Sequence, residues 1–202
     1  VVTGEGGMIL TQKQEYAARI KVLALHGMSS DAWRRFSDQG YKHYLVTEAG
    51  FKYNMMDMQA AIGLHQLKRV EKNWLKRQSI WHTYNRALKD LPLTLPANPE
   101  PDTRHAYHLY TILIDTKKTG ITRDEFLQAM HSHNIGTGVH YLSIPEHPYY
   151  QKRFGWKPED YPDAMRIGRQ TVSLPLSARL NDQDVQDVIL AVKTILAGAG
   201  AI

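Results

Sequence analysis

Apolar and polar positions follow one another in blocks whose period changes along the chain, and each change marks an element. "GEGGMILT" is a glycine turn running into a short apolar strand at residues 8–11, where the glycines suit positive φ or a close approach. Ala17, Ile20, Val22 and Leu23 then lie on one side of a short helix that ends at His26-Gly27, the glycine acting as C-cap. Residues 28–49 show no clear period and read as an irregular excursion, with a short helix at 31–36 and a strand at 43–46. "GFKYNMMDMQAA" opens the next helix, with Asn54 as N-cap and Asp57 completing a capping box. Met58, Ala61, Ile62, Leu64, Leu67 and Val70 follow at helical spacing, and the run continues through Trp74, Ile80, Tyr84 and Leu88 to stop before Pro92. A helix of that length crosses between two bodies or packs on another subunit, and it invites a break near Asn73.

"LPLTLPANPEPD" breaks the periodicity with four prolines. "HAYHLYTILID" beyond it is rich in aromatic and β-branched residues and reads as a strand. Thr122 and Glu125 form a capping box for a helix carrying Phe126, Leu127 and Met130, and "IGTGVHY" reads as a second strand. Residues 145–162 read as a loop with one helical turn, and a short helix at 163–169 leads into "TVSLPLS". Asn181 caps a last helix, with Asp184 at its third position and Val185, Val188, Ile189, Val192 and Ile195 on its apolar face. The pattern predicts an α/β chain of three parts: residues 1–54 as the edge of a larger sheet domain, 55–91 as a long connecting helix, and 92–202 as a small α/β domain whose sheet uses 107–114 and 136–141.

Composition narrows this only a little. The 202 residues are 43% apolar and 22% charged, an ordinary globular balance. The absence of cysteine excludes a disulfide scaffold and cysteine-based zinc or iron–sulfur sites, and it fits a reducing compartment such as the cytoplasm. No apolar run reaches the roughly 18 residues of a membrane span. The net charge of +5 suits an anionic partner, whether nucleic acid or a phosphorylated small molecule. The chain opens on "VVTGEGG" without an initiator methionine, so the expectation is a piece of a longer protein.

Most candidate chemistry reads as structure. Gly4-Glu5-Gly6-Gly7 and Gly136-Thr137-Gly138 lack the remaining residues of a phosphate loop. His131 with His133, and His105 with His108, lack a carboxylate third ligand, so no metal is expected. Lys68, Arg69, Lys72, Lys76 and Arg77 form a basic stripe that reads as a solvated helix face, with a nucleic-acid surface as the weaker alternative. Trp33, Trp74, Trp81 and Trp156 read as packing residues. Lys52 is different. It sits between two aromatics just before a helix N-terminus, where its charge gains nothing from the helix dipole and would draw in an anion such as a phosphate.

The blocks "TGEGGMILT", "HG", "GFKYNMMDMQAAIGLHQL", "HAYHLYTILID", "GIGTGVHY", "HPYY" and "SLPLS" stand in the order and spacing of one family. Over essentially its whole length the chain resembles the C-terminal half of the DegT/StrS sugar aminotransferases, which depend on pyridoxal phosphate and have the aspartate-aminotransferase fold (fold type I). Its "KYN" resembles the branch that forms UDP-4-amino-4-deoxy-L-arabinose. The resemblance implies an amino transfer from glutamate to a keto group of a nucleotide-linked sugar in polysaccharide or lipopolysaccharide biosynthesis, by a homodimer with active sites at the subunit boundary. It implies that the Schiff-base lysine lies upstream of Val1, so that no catalytic residue is expected in this chain. It implies that Lys52 or Asn54 reaches the neighbour's cofactor phosphate and that His140 and Tyr141 lie near the sugar nucleotide. A non-catalytic partner subunit that lends Lys52 to an active neighbour is the alternative of another class.

Overall fold

The computed structural model describes residues 1–29 and 45–200. The helix expected at 31–36, the Trp33 side chain and the start of the strand expected at 43–46 lie outside them. The chain divides into two compact units, Val1–Val70 and Glu71–Ile202.

In the first unit, residues 1–13 contain no strand, and the apolar Met8, Ile9 and Leu10 are exposed rather than paired. Helix α1 (Gln14–Ala24) ends where Gly27, at φ +70°, turns its N–H back to Val22 O at 2.9 Å. The returning segment pairs with this end: Phe51 N–H donates to Leu23 O at 2.6 Å, His26 N–H to Phe51 O at 2.8 Å and Tyr53 N–H to Ala24 O at 2.8 Å. Two glycines make the approach possible. A Cβ on Gly27 would lie 1.9 Å from Glu48 O, and one on Gly50 would lie 2.0 Å from Gly27 N. Arg19 and Glu48 join the two segments by an ion pair at 2.5 Å. Val46 contributes a single bridge to Met28.

Helix α2 (Asp57–Leu67) corrects the capping expected for Asn54. Its N-cap is Met56, whose N–H donates to Gln59 Oε1 at 3.1 Å, so the reciprocal partner is Gln59 and not Asp57. Asn54 lies two residues too early to cap the helix, and its side chain accepts from the Lys52 ammonium instead. Gln59 also donates to Glu5 O at 2.8 Å, holding the glycine-rich turn beside the helix. Neither α1 nor α2 buries a residue, and among the described residues no hydrophobic side chain before Ile80 is buried.

The run expected to form one helix is two. Arg69 N–H turns back to Gln66 O at 3.1 Å, and α3 (Val70–Leu88) begins after it, so the break falls at Lys68–Arg69 and not near Asn73. The apolar face changes character there: α3 buries Ile80, Trp81, Tyr84 and Leu88.

In the second unit, β1 (Tyr110–Leu113) is followed by the short α4 (Thr116–Thr119), α5 (Arg123–Ser132), α6 (Pro148–Phe154), α7 (Pro162–Gln170), β2 (Thr171–Leu174) and α8 (Asp182–Gly198). The sheet is antiparallel β1–β2, with Tyr110 opposite Leu174 and Ile112 opposite Val172. The strand expected at 136–141 is reduced to one bridge, Gly138 to Ser173, because two glycines in that segment leave little to pack and weaken a ladder. Residues 145–162 carry more structure than a loop with one turn. Pro148 starts α6 at its first position and Gly155 closes it in the left-handed region, while Tyr150 stacks on Phe154 and Trp156, and Trp156 meets Tyr161 at a tilt. The caps expected at Thr122 and Asn181 are formed, Glu125 N–H donating to Thr122 Oγ1 at 3.2 Å and Asp184 N–H to Asn181 Oδ1 at 2.9 Å. The core joins Tyr84 and Leu88 of α3 to Tyr110 and Ile112 of β1, Phe126 and Met130 of α5, Val172 of β2, and Val192 and Leu196 of α8, each fully buried.

Candidate functional site

The first candidate group is "GFKYN". Backbone pairing of 51–53 with the end of α1 holds this segment extended, so alternate side chains leave on opposite sides. Phe51 and Tyr53 share one side and stack with centroids 5.0 Å apart and planes within 5°. Lys52 takes the other, forms a bridge with Leu25 and is exposed. Its ammonium donates to Asn54 Oδ1, two residues further along the chain. An ammonium has three N–H donors. One is held by Asn54 and the others have no partner among the described residues, which leaves them free to donate to an anion.

The second group lies in the other unit, where 138–141 runs beside β2. Ser173 N–H donates to Gly138 O at 2.8 Å and Gly138 N–H to Ser173 O at 3.1 Å. The His140 ring folds back over Gly138, and its Nδ1 is 2.8 Å from Ser173 Oγ. Tyr141 packs edge-on against His140 at 4.9 Å and is 76% exposed. An open groove of about 840 Å³ begins at Val139 and Tyr141 and continues along Leu142, Ile144, His147, Tyr149 and Tyr150. Lys52 thus stands with Asn54, and His140 with Tyr141; the two pairs belong to different units.

Other candidates take structural roles. Lys76 pairs with Asp182 at 2.9 Å, and Arg77 donates to Tyr107 O at 3.0 Å and His108 O at 2.9 Å, so two members of the basic stripe fasten α3 to neighbouring segments. His105 Nδ1 accepts from Tyr107 N–H at 3.1 Å. Among the described residues no three His, Cys, Asp or Glu side chains cluster as a metal site, and no helix is long and apolar enough to cross a membrane. The sequence reading did not single out Ser173. It is a polar residue in a strand that the structure buries at all four positions.

Comparison with known proteins bears on this arrangement. Residues 1–193 match the DegT/DnrJ/EryC1/StrS aminotransferase family. The chain is 47% identical over 200 residues to the spore coat polysaccharide biosynthesis protein SpsC of Bacillus subtilis, covering 98% of this chain and 51% of SpsC. It thus spans about half the length of the curated relatives it matches. Among solved structures, the putative sugar aminotransferase Spr1654 of Streptococcus pneumoniae superposes with a TM-score of 0.80 at 25% identity, over 94% of this chain and 45% of that one. PseC of Helicobacter pylori, an aminotransferase involved in the biosynthesis of pseudoaminic acid, gives 0.78 at 28% identity, over 93% and 48%. The architecture shared with these structures is the α/β fold of the type I pyridoxal-phosphate enzymes. The comparisons do not single out the UDP-4-amino-4-deoxy-L-arabinose branch. From its matched blocks and its fold, the chain belongs to the DegT/DnrJ/EryC1/StrS aminotransferase family.

Proposed function

We propose that this chain is the C-terminal half of a pyridoxal-phosphate-dependent aminotransferase that moves an amino group from glutamate to a keto carbon of a nucleotide-linked sugar in the cytoplasm. The observation that carries the reading is the Lys52–Asn54 pair within a family block, an exposed ammonium steered by a neighbouring amide with two donors left over. Solved relatives described as PLP- and PMP-forms, and a relative named for polysaccharide biosynthesis, support it. When bound, pyridoxal phosphate supplies an electron sink for the amino transfer.

In this reading Lys52 binds the cofactor's phosphate by charge, since an ammonium is a point charge and not a planar fork. Asn54 orients it. His140 and Tyr141 contact the sugar nucleotide, and the lysine that carries the cofactor lies upstream of Val1. The uncovered apolar surface of the first unit fits coverage by the upstream half and by a second copy, giving a homodimer with active sites at the boundary. The "KYN" form favours the branch that aminates the 4-keto carbon of UDP-linked arabinose. The test is a single half-reaction. The complete protein, loaded with pyridoxal phosphate and given glutamate alone, should release one 2-oxoglutarate per active site and pass into the PMP form. A complete protein that binds pyridoxal phosphate but releases no 2-oxoglutarate would overturn the proposal.

A further inference from the structure

Building on the reading of His140 as a sugar-nucleotide contact, we infer that Ser173 and Gly138 are positioning residues that fix the ring and the tautomer of His140. Three observations converge. Ser173 is buried in β2, 5% exposed, and its Oγ stands 2.8 Å from His140 Nδ1. Both its backbone groups are tied to Gly138, so the hydroxyl's position relative to the 138–140 backbone is set by two further hydrogen bonds. A Cβ at position 138 would fall 2.8 Å from His140 Cε1 and 3.3 Å from Nδ1, so the ring occupies the space that only glycine leaves open.

The tautomer follows from accounting for one proton. A buried hydroxyl proton needs an acceptor. Among the described residues Ser173 Oγ has no hydrogen-bond partner other than His140 Nδ1. The Ser173 hydroxyl therefore donates, Nδ1 accepts, and in the neutral imidazole the remaining proton sits on Nε2. His140 Nε2 has no partner among the described residues, so the arrangement keeps a free N–H donor for an oxygen acceptor on the substrate. With the opposite tautomer the same nitrogen would meet that oxygen lone pair to lone pair. Ser173 thus acts through His140, and it belongs to the "SLPLS" block that the strand geometry alone would assign to packing.

The test has two readouts. Nitrogen-15 NMR of the histidine-labelled complete protein, with the His140→Gln variant assigning the signal, reports which ring nitrogen of His140 carries the proton. The expected result is a dominant Nε2–H form that loses its preference by about 3- to 10-fold in Ser173→Ala, the worth of one hydrogen bond. A wild-type ring protonated on Nδ1, or a Ser173→Ala ring with unchanged tautomer, overturns the inference. In the complete enzyme, His140→Gln, Ser173→Ala and Gly138→Ala should all raise KM for the nucleotide sugar. If His140→Gln raises KM and Ser173→Ala does not, the inference fails and the functional reading stands. If His140→Gln leaves KM unchanged while the tautomer responds to Ser173, it is His140's role at the sugar that fails.

Discussion

Replacing Tyr84 by phenylalanine should weaken the protein at neutral pH and leave it nearly unaffected at pH 11. Tyr84 is fully buried on α3, and its hydroxyl donates to Pro175 O at 2.9 Å, tying α3 to the segment just after β2. Its edge also packs on Tyr110 at 5.0 Å. Tyr84→Phe keeps the ring and leaves the Pro175 carbonyl without its donor, a cost of about 1.5 kcal/mol. For a chain of this size that lowers Tm by roughly 3–6 °C. Burial, and after it the Asp184 carboxylate, holds the Tyr84 phenol well above its ordinary range in the folded state. A folded pKa above the unfolded one means that the contribution is complete below about pH 10 and is lost as pH rises further. One pH unit above the unfolded value removes about 1.4 kcal/mol from the wild type. The variant has no such group, so the gap of about 1.5 kcal/mol at pH 7 should close at pH 11. Urea unfolding followed by circular dichroism at the two pH values measures it. An equal gap at both would refute the assignment of a buried, hydrogen-bonded phenol.

Tyr110 is raised by burial and then by Tyr84, so Tyr110→Phe, which frees Asn85 Oδ1 from a 2.7 Å hydrogen bond, should show the same alkaline convergence in the same assay. Gly27→Ala should cost more than about 1 kcal/mol from its positive φ alone, and the collision with Glu48 O should part 51–53 from α1; hydrogen exchange at the Phe51 and Tyr53 amides should quicken. Thr122→Ala should cost about 1 kcal/mol at the α5 cap. It should also let the Glu125 carboxyl, held below its ordinary range first by the Thr122 hydroxyl and then by the Thr122 N–H, rise in an NMR titration. Because the Glu125 pKa is lowered on folding, the stability from this pair is present above the usual carboxylate range and is lost as pH falls through the lowered value.

Where local rules act alone, the sequence carried the structure. The Thr122 and Asn181 caps and the inward face of α8 depend only on residues three or four apart, and all are as expected. Helix α6 was marked by Pro148 and Gly155, but aromatic crowding between them hid the marks. The break at Lys68–Arg69 had no proline or glycine to announce it and falls just before the boundary between compact units, after Val70. Asn54 is the instructive case at the site. Its side chain can cap a helix or hold an ammonium, and spacing cannot choose between an acceptor used by a backbone N–H and one used by Lys52. Lys52 itself stood out in the sequence because it lacked a structural reason to be there. Ser173 was not, since its partner His140 is distant in sequence and the register that joins them is set by the Gly138 bridge.

The central claim is that Lys52 supplies charge to the phosphate of pyridoxal phosphate. It is tested most directly by titrating the complete apo-protein with that cofactor in wild-type, Lys52→Ala and Asn54→Ala forms. A hydrogen bond between charged groups is worth about 1.5–3 kcal/mol, so Lys52→Ala should weaken binding by roughly 10- to 150-fold. Asn54→Ala, which removes only the group that steers the ammonium and does not cap α2, should weaken it less and leave stability nearly unchanged. Unchanged affinity in Lys52→Ala would contradict the account.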